Sequence, residues 1–482
     1  MSAGADSLAE TWLRRGMAAV GAMLLISLVG GSAAGRDSRA GSGGAAAHST
    51  APGTSGPAVG VPPATATPTG PVAPPPVLAV DGGTAPAPTP AGVARALAGP
   101  LADRRFGGPV AARVLDAVTG AVLLDRAGAA PAVPASTAKL ATAAAVLAVL
   151  RPDDRLVTRV VAGTRPGEVV LVGAGDPTLS AARRGTPTAY EGAARLSTLA
   201  AAVRKATTTK ITRLLVDGSR FTGTRLGPGW DPADVAGGYV APITAVMVDG
   251  GRTSPAVRAR SSEPDLAAGR AFAAALGVST AAVARGAAEP GARMLGQVAS
   301  APVTRLVESM LLTSDNVLAE MLARQVAIAE RSPASFPGAA DAVRRVLARL
   351  GVPTAGERLV DGSGLSRLDR VTPDVLVAVL RAALSAEHPA LHALVPGLPV
   401  GGYAGSLHDR YLSLPSVRGA GAVRAKTGTL DGVSALAGVV TDREGRLLIF
   451  AFLANGVPVG GTLRAESALD TAAAALAGCG CR

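Results

Sequence analysis

The chain has 482 residues, 48% hydrophobic but only 2% aromatic, so its core must be built from Ala, Val and Leu. That length exceeds one ordinary domain. The formal charge is +12, yet no aromatic-interleaved basic patch or basic helix accompanies it, which excludes a nucleic-acid reader and suits an anionic wall or membrane surface.

Arg14 and Arg15 precede an apolar run over 17–29, followed by small residues at 30–34. Charge, short apolar stretch and small residues is the layout of an export signal, and the run is short for a membrane span. A cleaved signal and an uncleaved N-terminal anchor both fit residues 1–35. Residues 36–95 are mostly Ala, Gly, Ser, Thr and Pro, with Pro74, Pro75 and Pro76 among them. Such a composition buries no core and acts as a disordered, semi-extended spacer.

Folded sequence is expected from Ala96. Two apolar runs within 110–126 flank Thr119-Gly120 and predict a hairpin. Residues 136–150 are apolar nearly all round, after Pro131 and Pro134, and predict a buried helix. Short β-like runs such as 169–172 and 214–216 predict an inserted, β-rich domain over 156–295. Helical patterns return over 303–330 and 339–350. Residues 433–441 and 446–454 predict two strands around Glu444-Gly445, and 462–477 a final Ala-rich helix. Strands flanking a helical middle predict an α/β architecture, one sheet with helices on its faces. Its two catalytic-domain parts would be 96–155 and 296–478. The only cysteines, Cys479 and Cys481, offer no zinc pattern and too short a loop for an easy bridge. They read as a frayed tail.

Three segments carry chemistry. Ser136-Thr137-Ala138-Lys139 opens the buried helix. Residues three apart share a helical face, so Lys139 can reach Ser136. A serine hydroxyl needs a base, and a lysine serves as one when burial lowers its pKa. The helix start adds a partial positive charge and free N–H groups for an oxyanion. A capping Ser with a surface Lys would also give this spacing. However, Lys139 lies in an apolar run, where an idle charge is expensive. Ser314-Asp315-Asn316 precedes another helix. Each of the three is a good cap; in a functional reading Ser314 relays a proton, and the Asn316 amide holds Lys139 and a substrate peptide group. Lys426-Thr427-Gly428-Thr429 opens the last strand pair. Lys426 would supply charge, Gly428 room for substrate along the strand, and Thr427 and Thr429 hydroxyls for a carboxylate. The Thr429 N–H would be a second oxyanion donor.

The order Ser-x-x-Lys, Ser-x-Asn, Lys-Thr-Gly is the motif set of penicillin-binding proteins and class A β-lactamases. From Ala96 onward the chain resembles the class C low-molecular-mass penicillin-binding proteins, the D-Ala-D-Ala carboxypeptidase/endopeptidase family. Gly175-Asp176-Pro177-Thr178-Leu179, Val216-Asp217-Gly218-Ser219-Arg220-Phe221, Tyr239-Val240-Ala241-Pro242-Ile243 and Asp361-Gly362-Ser363-Gly364-Leu365-Ser366 resemble further stretches of that family. The long gap between Lys139 and Ser314 matches its large insertion.

The resemblance implies a penicillin-binding/β-lactamase-like transpeptidase fold, an antiparallel sheet with helices on its faces and a large insert. It implies an exported enzyme acting on peptidoglycan peptides through a Ser136 acyl-enzyme. Lys139, Ser314, Asn316 and Lys426 would be the other catalytic groups, and Thr427, Gly428 and Thr429 would bind substrate. β-Lactams would be covalent inhibitors, and no metal, cofactor or nucleic acid is expected. The membrane is a partner if the N-terminal segment stays uncleaved. A β-lactamase or esterase on the same scaffold, or an inactive wall-binding relative, are the alternatives. A Ser-His-Asp hydrolase fits less well: of four histidines, His48 lies in the spacer, His388 and His392 lack a Gly-x-Ser-x-Gly partner, and His408 beside Asp409 reads as a surface pair.

Overall fold

The computed structural model describes residues 84–482. The signal or anchor and most of the spacer lie outside the described residues.

The first element arrives earlier than expected. Helix α1, Pro90–Ala98, begins inside the stretch assigned to the spacer. Thr89 caps it, its hydroxyl accepting from the Gly92 amide at 3.1 Å, and Pro90 sits where no helical N–H is needed. Its buried Val93 and Leu97 join the core. Proline and alanine are common to a spacer and to a helix start, so composition alone merged the two.

Strands β1, Val110–Asp116, and β2, Val122–Arg126, form the expected hairpin. They join β8, Val423–Leu430, β9, Val433–Thr441, and β10, Leu447–Ala454, in an antiparallel sheet of order β2-β1-β10-β9-β8. Every residue of β10 is buried because both sheet faces are covered. Side chains alternate along a strand: Ile449, Ala451 and Leu453 enter one core, and Leu448, Phe450 and Phe452 the other. The first core is filled by α2 (Lys139–Val149), α5 (Val303–Thr313), α6 (Asn316–Ala329), α7 (Phe336–Arg349) and α8 (Pro373–Leu384). The second is filled by α1 and by α9 (Thr462–Ala477). Sequence reading named no element over α8, whose Val- and Leu-rich run fits either a strand or a helix.

Between α2 and α5 lies a second five-stranded sheet, order β6-β5-β4-β3-β7. Its strands are β3 (Val157–Ala162), β4 (Glu168–Val172), β5 (Arg213–Asp217), β6 (Val283–Arg285) and β7 (Met294–Ala299). The pairs β4–β5 and β5–β6 are parallel, which requires crossovers. Helices α3, Leu196–Ala206, and α4, Pro264–Leu276, supply them, so the insert carries helices as well as the expected strands.

The frayed C-terminal tail is corrected. Cys479 and Cys481 form a disulfide, Cys479 is buried, and the Cys481 carbonyl accepts the Thr89 amide at 2.6 Å. The tail is held against the start of α1 rather than left in solvent. Among the described residues no helix is long and apolar enough to cross a membrane.

Candidate active site

Ser136 lies in a tight 3-10 turn, Ala135–Ala138, that runs into α2. The turn is strained and clamped. Ala135 has φ +47°, a left-handed conformation rare for alanine. A Cβ on Gly364 would stand 1.9 Å from the Ala135 carbonyl oxygen, and one on Gly428 would stand 2.7 Å from that of Pro134. Two glycines therefore let neighbouring segments close on the nucleophile turn from different sides. The missing side chain of Gly428 thus makes room for the serine turn, a use the sequence reading did not foresee. Gly428→Ala should displace that turn and lower acylation about 100-fold, the scale of a 1 Å misplacement. Stopped-flow β-lactam acylation checks it, with thermal unfolding as the control.

Lys139 is fully buried at the first turn of α2. Its Nζ donates to Ser136 Oγ at 2.9 Å, to Asn316 Oδ1 at 2.6 Å and to the Ser363 carbonyl at 2.7 Å. An ammonium has three protons, and all three are placed. Burial pushes its pKa down to about 8, against the pull of Asp361, Glu320, Asp315 and Asp369. In the neutral amine two N–H groups still serve Asn316 and Ser363, and the lone pair falls on Ser136 Oγ. That is the arrangement a general base needs.

Ser314 joins α5 to α6 with φ +56°. Its hydroxyl accepts from Lys426 Nζ at 2.9 Å. Asp315 caps α6 through the Leu318 amide at 2.9 Å, and its second oxygen accepts the Tyr190 hydroxyl at 2.8 Å. Burial would raise the Asp315 pKa, but Arg260, the Leu318 amide, Arg252 and Tyr190 outweigh it and hold it below the usual range. Asn316 Nδ2 donates to the Tyr239 carbonyl at 3.1 Å, so the amide ties Lys139 to the insert. Lys426 is also fully buried and donates to the Thr427 carbonyl at 2.8 Å. Burial, then the nearby charges of Lys139 and Arg410, push its pKa well down.

Strand β8 is the edge strand of its sheet, met only at its start by residues 399–401. The Ala425 amide donates away from β9, to the Pro399 carbonyl at 3.0 Å. Amides two apart along a strand point the same way, so those of Thr427 and Thr429 also point out from this edge. The Thr427 hydroxyl bonds Ser406 Oγ at 2.8 Å. The Thr429 hydroxyl donates to Glu466 Oε1 at 2.6 Å, so in this state it is engaged rather than free for a carboxylate. Ser136, Ser314, Asn316, Thr427 and Thr429 line one cleft of about 980 Å³, whose lining also includes Trp230 and Tyr239 of the insert. All eight residues singled out in the sequence thus lie in or beside one site. His408 pairs with Asp409 at the surface, as read.

Comparison with known proteins matches the D-Ala-D-Ala carboxypeptidase 3 (S13) family model to residues 93–263 and 256–476. The chain belongs to this family. It is 47% identical over 403 residues to a carboxypeptidase of Mycobacterium tuberculosis, covering 83% of this chain and 86% of that one. It is 29% identical over 452 residues to a D-alanyl-D-alanine carboxypeptidase of an Actinomadura species, covering 76% and 81%. The crystal structure of penicillin binding protein 4 from Haemophilus influenzae superposes with a TM-score of 0.64 at 24% identity, covering 79% and 97%, and shares the fold. The S13 assignment agrees with the resemblance read from the three motifs.

Sequence reading missed the groups behind this front. Glu320 of α6 accepts the Gly362 and Ser363 amides, each at 2.9 Å. Asp361 accepts the Ser363, Gly364 and Ser366 amides and Trp230 Nε1. Tyr190 and Ser406 brace Asp315 and Thr427. The signal available was Asp361-Gly362-Ser363-Gly364, a turn-forming sequence; nothing in it announces that the turn abuts Lys139.

Proposed function

We propose that this chain is a serine-type D-Ala-D-Ala carboxypeptidase acting on peptidoglycan stem peptides through a Ser136 acyl-enzyme. The observation that carries the reading is the Lys139 amine, held by Asn316 and Ser363 with Ser136 Oγ at its third position.

Lys139 takes the Ser136 proton as Oγ attacks the carbonyl of the penultimate D-Ala. The tetrahedral oxyanion lies between the backbone N–H groups of Ser136 and Thr429. The C–N bond to the terminal D-Ala then breaks, and the proton that Lys139 took is relayed through Ser314, itself bonded to Lys426, to the leaving amine, which leaves Lys139 neutral again to take a proton from the hydrolytic water. Lys426 and the Thr427 hydroxyl attract and orient the terminal carboxylate. Water hydrolyses the ester and restores Ser136. The same acyl step on a cross-linked peptide would be endopeptidase action. A β-lactam amide would acylate Ser136 identically.

The reading also places the enzyme outside the cytoplasmic membrane, because Arg14, Arg15 and the apolar run over 17–29 form an export layout. Cell fractionation with an antibody to the folded part tests this; accumulation in the cytoplasm would reject it.

Intact-protein mass spectrometry after incubation with benzylpenicillin tests the enzymatic reading. The expected result is an adduct of one penicillin, mapping to the Ser136 peptide. No adduct with the penicillin intact would reject a penicillin-sensitive serine enzyme. Release of D-Ala from a stem pentapeptide, compared with cleavage of a cross-linked dimer, then ranks the two activities.

A further inference from the structure

The carbonyl that accepts from Lys139 Nζ belongs to the Ser363–Gly364 peptide. The N–H of that same peptide donates to Asp361 Oδ1 at 2.7 Å. A carboxylate on the N–H of an amide polarises its C=O, because bonds in such a chain strengthen one another. Asp361 Oδ1 also accepts the Ser363 amide at 3.1 Å. Its Oδ2 takes the Ser366 amide at 2.8 Å and Trp230 Nε1 at 2.7 Å. Four donors hold one buried carboxylate in a fixed orientation, and Trp230 also lines the substrate cleft.

We propose that Asp361 is a positioning residue for the general base: acting through the Ser363–Gly364 peptide, it aims the Lys139 amine at Ser136 and sets how readily that amine holds its proton. The proposal rests on Lys139 being the base for Ser136.

Charged groups surround Asp361 from each neighbouring element. Lys139 faces it from α2. Glu320 and Arg324 face it from α6, both almost fully buried and 3.5 Å apart. Arg324 stacks on Phe336, 4.1 Å from the ring centre, and among the described residues its Nε and Nη2 have no partner. Asp369 follows on the same loop, and burial, then the charge of Asp361, push its pKa well up. Asp315 faces Lys139 from the α5–α6 junction, and Lys426 faces it from β8. Asp361 is the largest of the carboxylate influences that favour the charged lysine. Glu320 has its pKa raised to about 7, by burial and then by Asp361. Asp361 is the acid of this cluster that touches the lysine's own peptide.

The sign follows. Removing a negative charge beside an ammonium favours the neutral amine, so the base becomes available at lower pH. The test is the rate of acylation by a chromogenic cephalosporin between pH 5 and 10, for wild type and three variants. Asp361→Asn should move the acid limb down by about one pH unit, the scale of a close charge in a partly polar interior. It should also lower the plateau, because the amide cannot accept all four donors. Glu320→Gln should move the limb the same way by less. Asp369→Asn removes the last-ranked of the four carboxyl influences on Lys139 and should move the limb least.

Loss of rate at every pH with the limb unmoved in Asp361→Asn and Glu320→Gln would leave Asp361 a turn-former only and overturn the proposal. An equal shift in Asp369→Asn would overturn it too, because loosening of the loop would then be the cause. If Asp361→Asn does not fold, Glu320→Gln decides: a downward shift supports the proposal and an unmoved limb rejects it. Acylation of Lys139→Met at the wild-type rate would instead reject the base assignment itself, so the two failures are distinguishable.

Discussion

Ser136→Ala should abolish both the penicillin adduct and D-Ala release, lowering turnover by about 10⁴-fold or more, as removal of a covalent nucleophile does. The loss is steep because nothing else in the cleft can replace the Oγ. Ser314, the other serine of the cleft, accepts from Lys426 rather than donating to a base, and the Thr427 and Thr429 hydroxyls are bonded to Ser406 and Glu466. The fold should survive. Ser136 is only half-buried, and the turn is held by its backbone between Gly364 and Gly428. Lys139 would keep its bonds to Asn316 and Ser363. The expected stability change is therefore within about 1 kcal/mol. Mass spectrometry of the β-lactam adduct and a D-Ala release assay check activity, and thermal unfolding checks the fold. An adduct that persists on Ser136→Ala would remove Ser136 from the mechanism.

The parts of the fold legible in the sequence were those with long, unbroken patterns. Strands β9 and β10 lie within a residue of their expected limits, because each is a continuous apolar run on either side of Glu444-Gly445. Helix α9 matches its expected span. Helix α1 was not legible, because Pro and Ala at 84–95 look like the spacer before them. The pairing of Cys479 with Cys481 was not legible either. It accompanies the docking of the tail on Thr89, a contact across 392 residues.

The site shows the same division. Ser136 and Lys139 share a helical turn, so their contact could be read from spacing. The joint occurrence of three motifs then carried Ser314, Asn316 and Lys426 with them. What the sequence could not supply is what lies behind each motif. Gly428 reads as a substrate position, and its second use, room for the Pro134 carbonyl of the serine turn, shows only in the fold. Glu320 sits in an apolar helix and Asp361 in a stretch noted only for its family resemblance, yet both face Lys139 across the fold. Contacts between distant segments leave no periodic trace.

Lys139→Met should yield an inactive protein that is more stable than wild type at neutral pH. The activity loss follows from removing the base, about 10³-fold or more in acylation on the scale of general-base removal. The stability gain follows from linkage. The folded-state pKa of Lys139 is depressed to about 8 from 10.5. Between those values the unfolded chain binds more protons than the folded one, so wild-type stability rises with pH across this window. Below pH 8 both states are protonated, and the fold carries the full cost of a buried ammonium. The shift corresponds to about 3 kcal/mol. Methionine has a similar length and no charge, but it leaves Asn316 Oδ1 and the Ser363 carbonyl without a donor, at about 1 kcal/mol each. The net gain expected at pH 7 is about 1 kcal/mol, shrinking and then reversing as pH rises from 8 towards 10.5. Denaturant melts of both proteins at pH 7 and pH 10 measure it. A variant less stable than wild type at pH 7 would mean that the three bonds of the ammonium outweigh its burial. A gain at pH 7 that vanishes at pH 10 would show that the lysine is kept for catalysis against its own cost to folding.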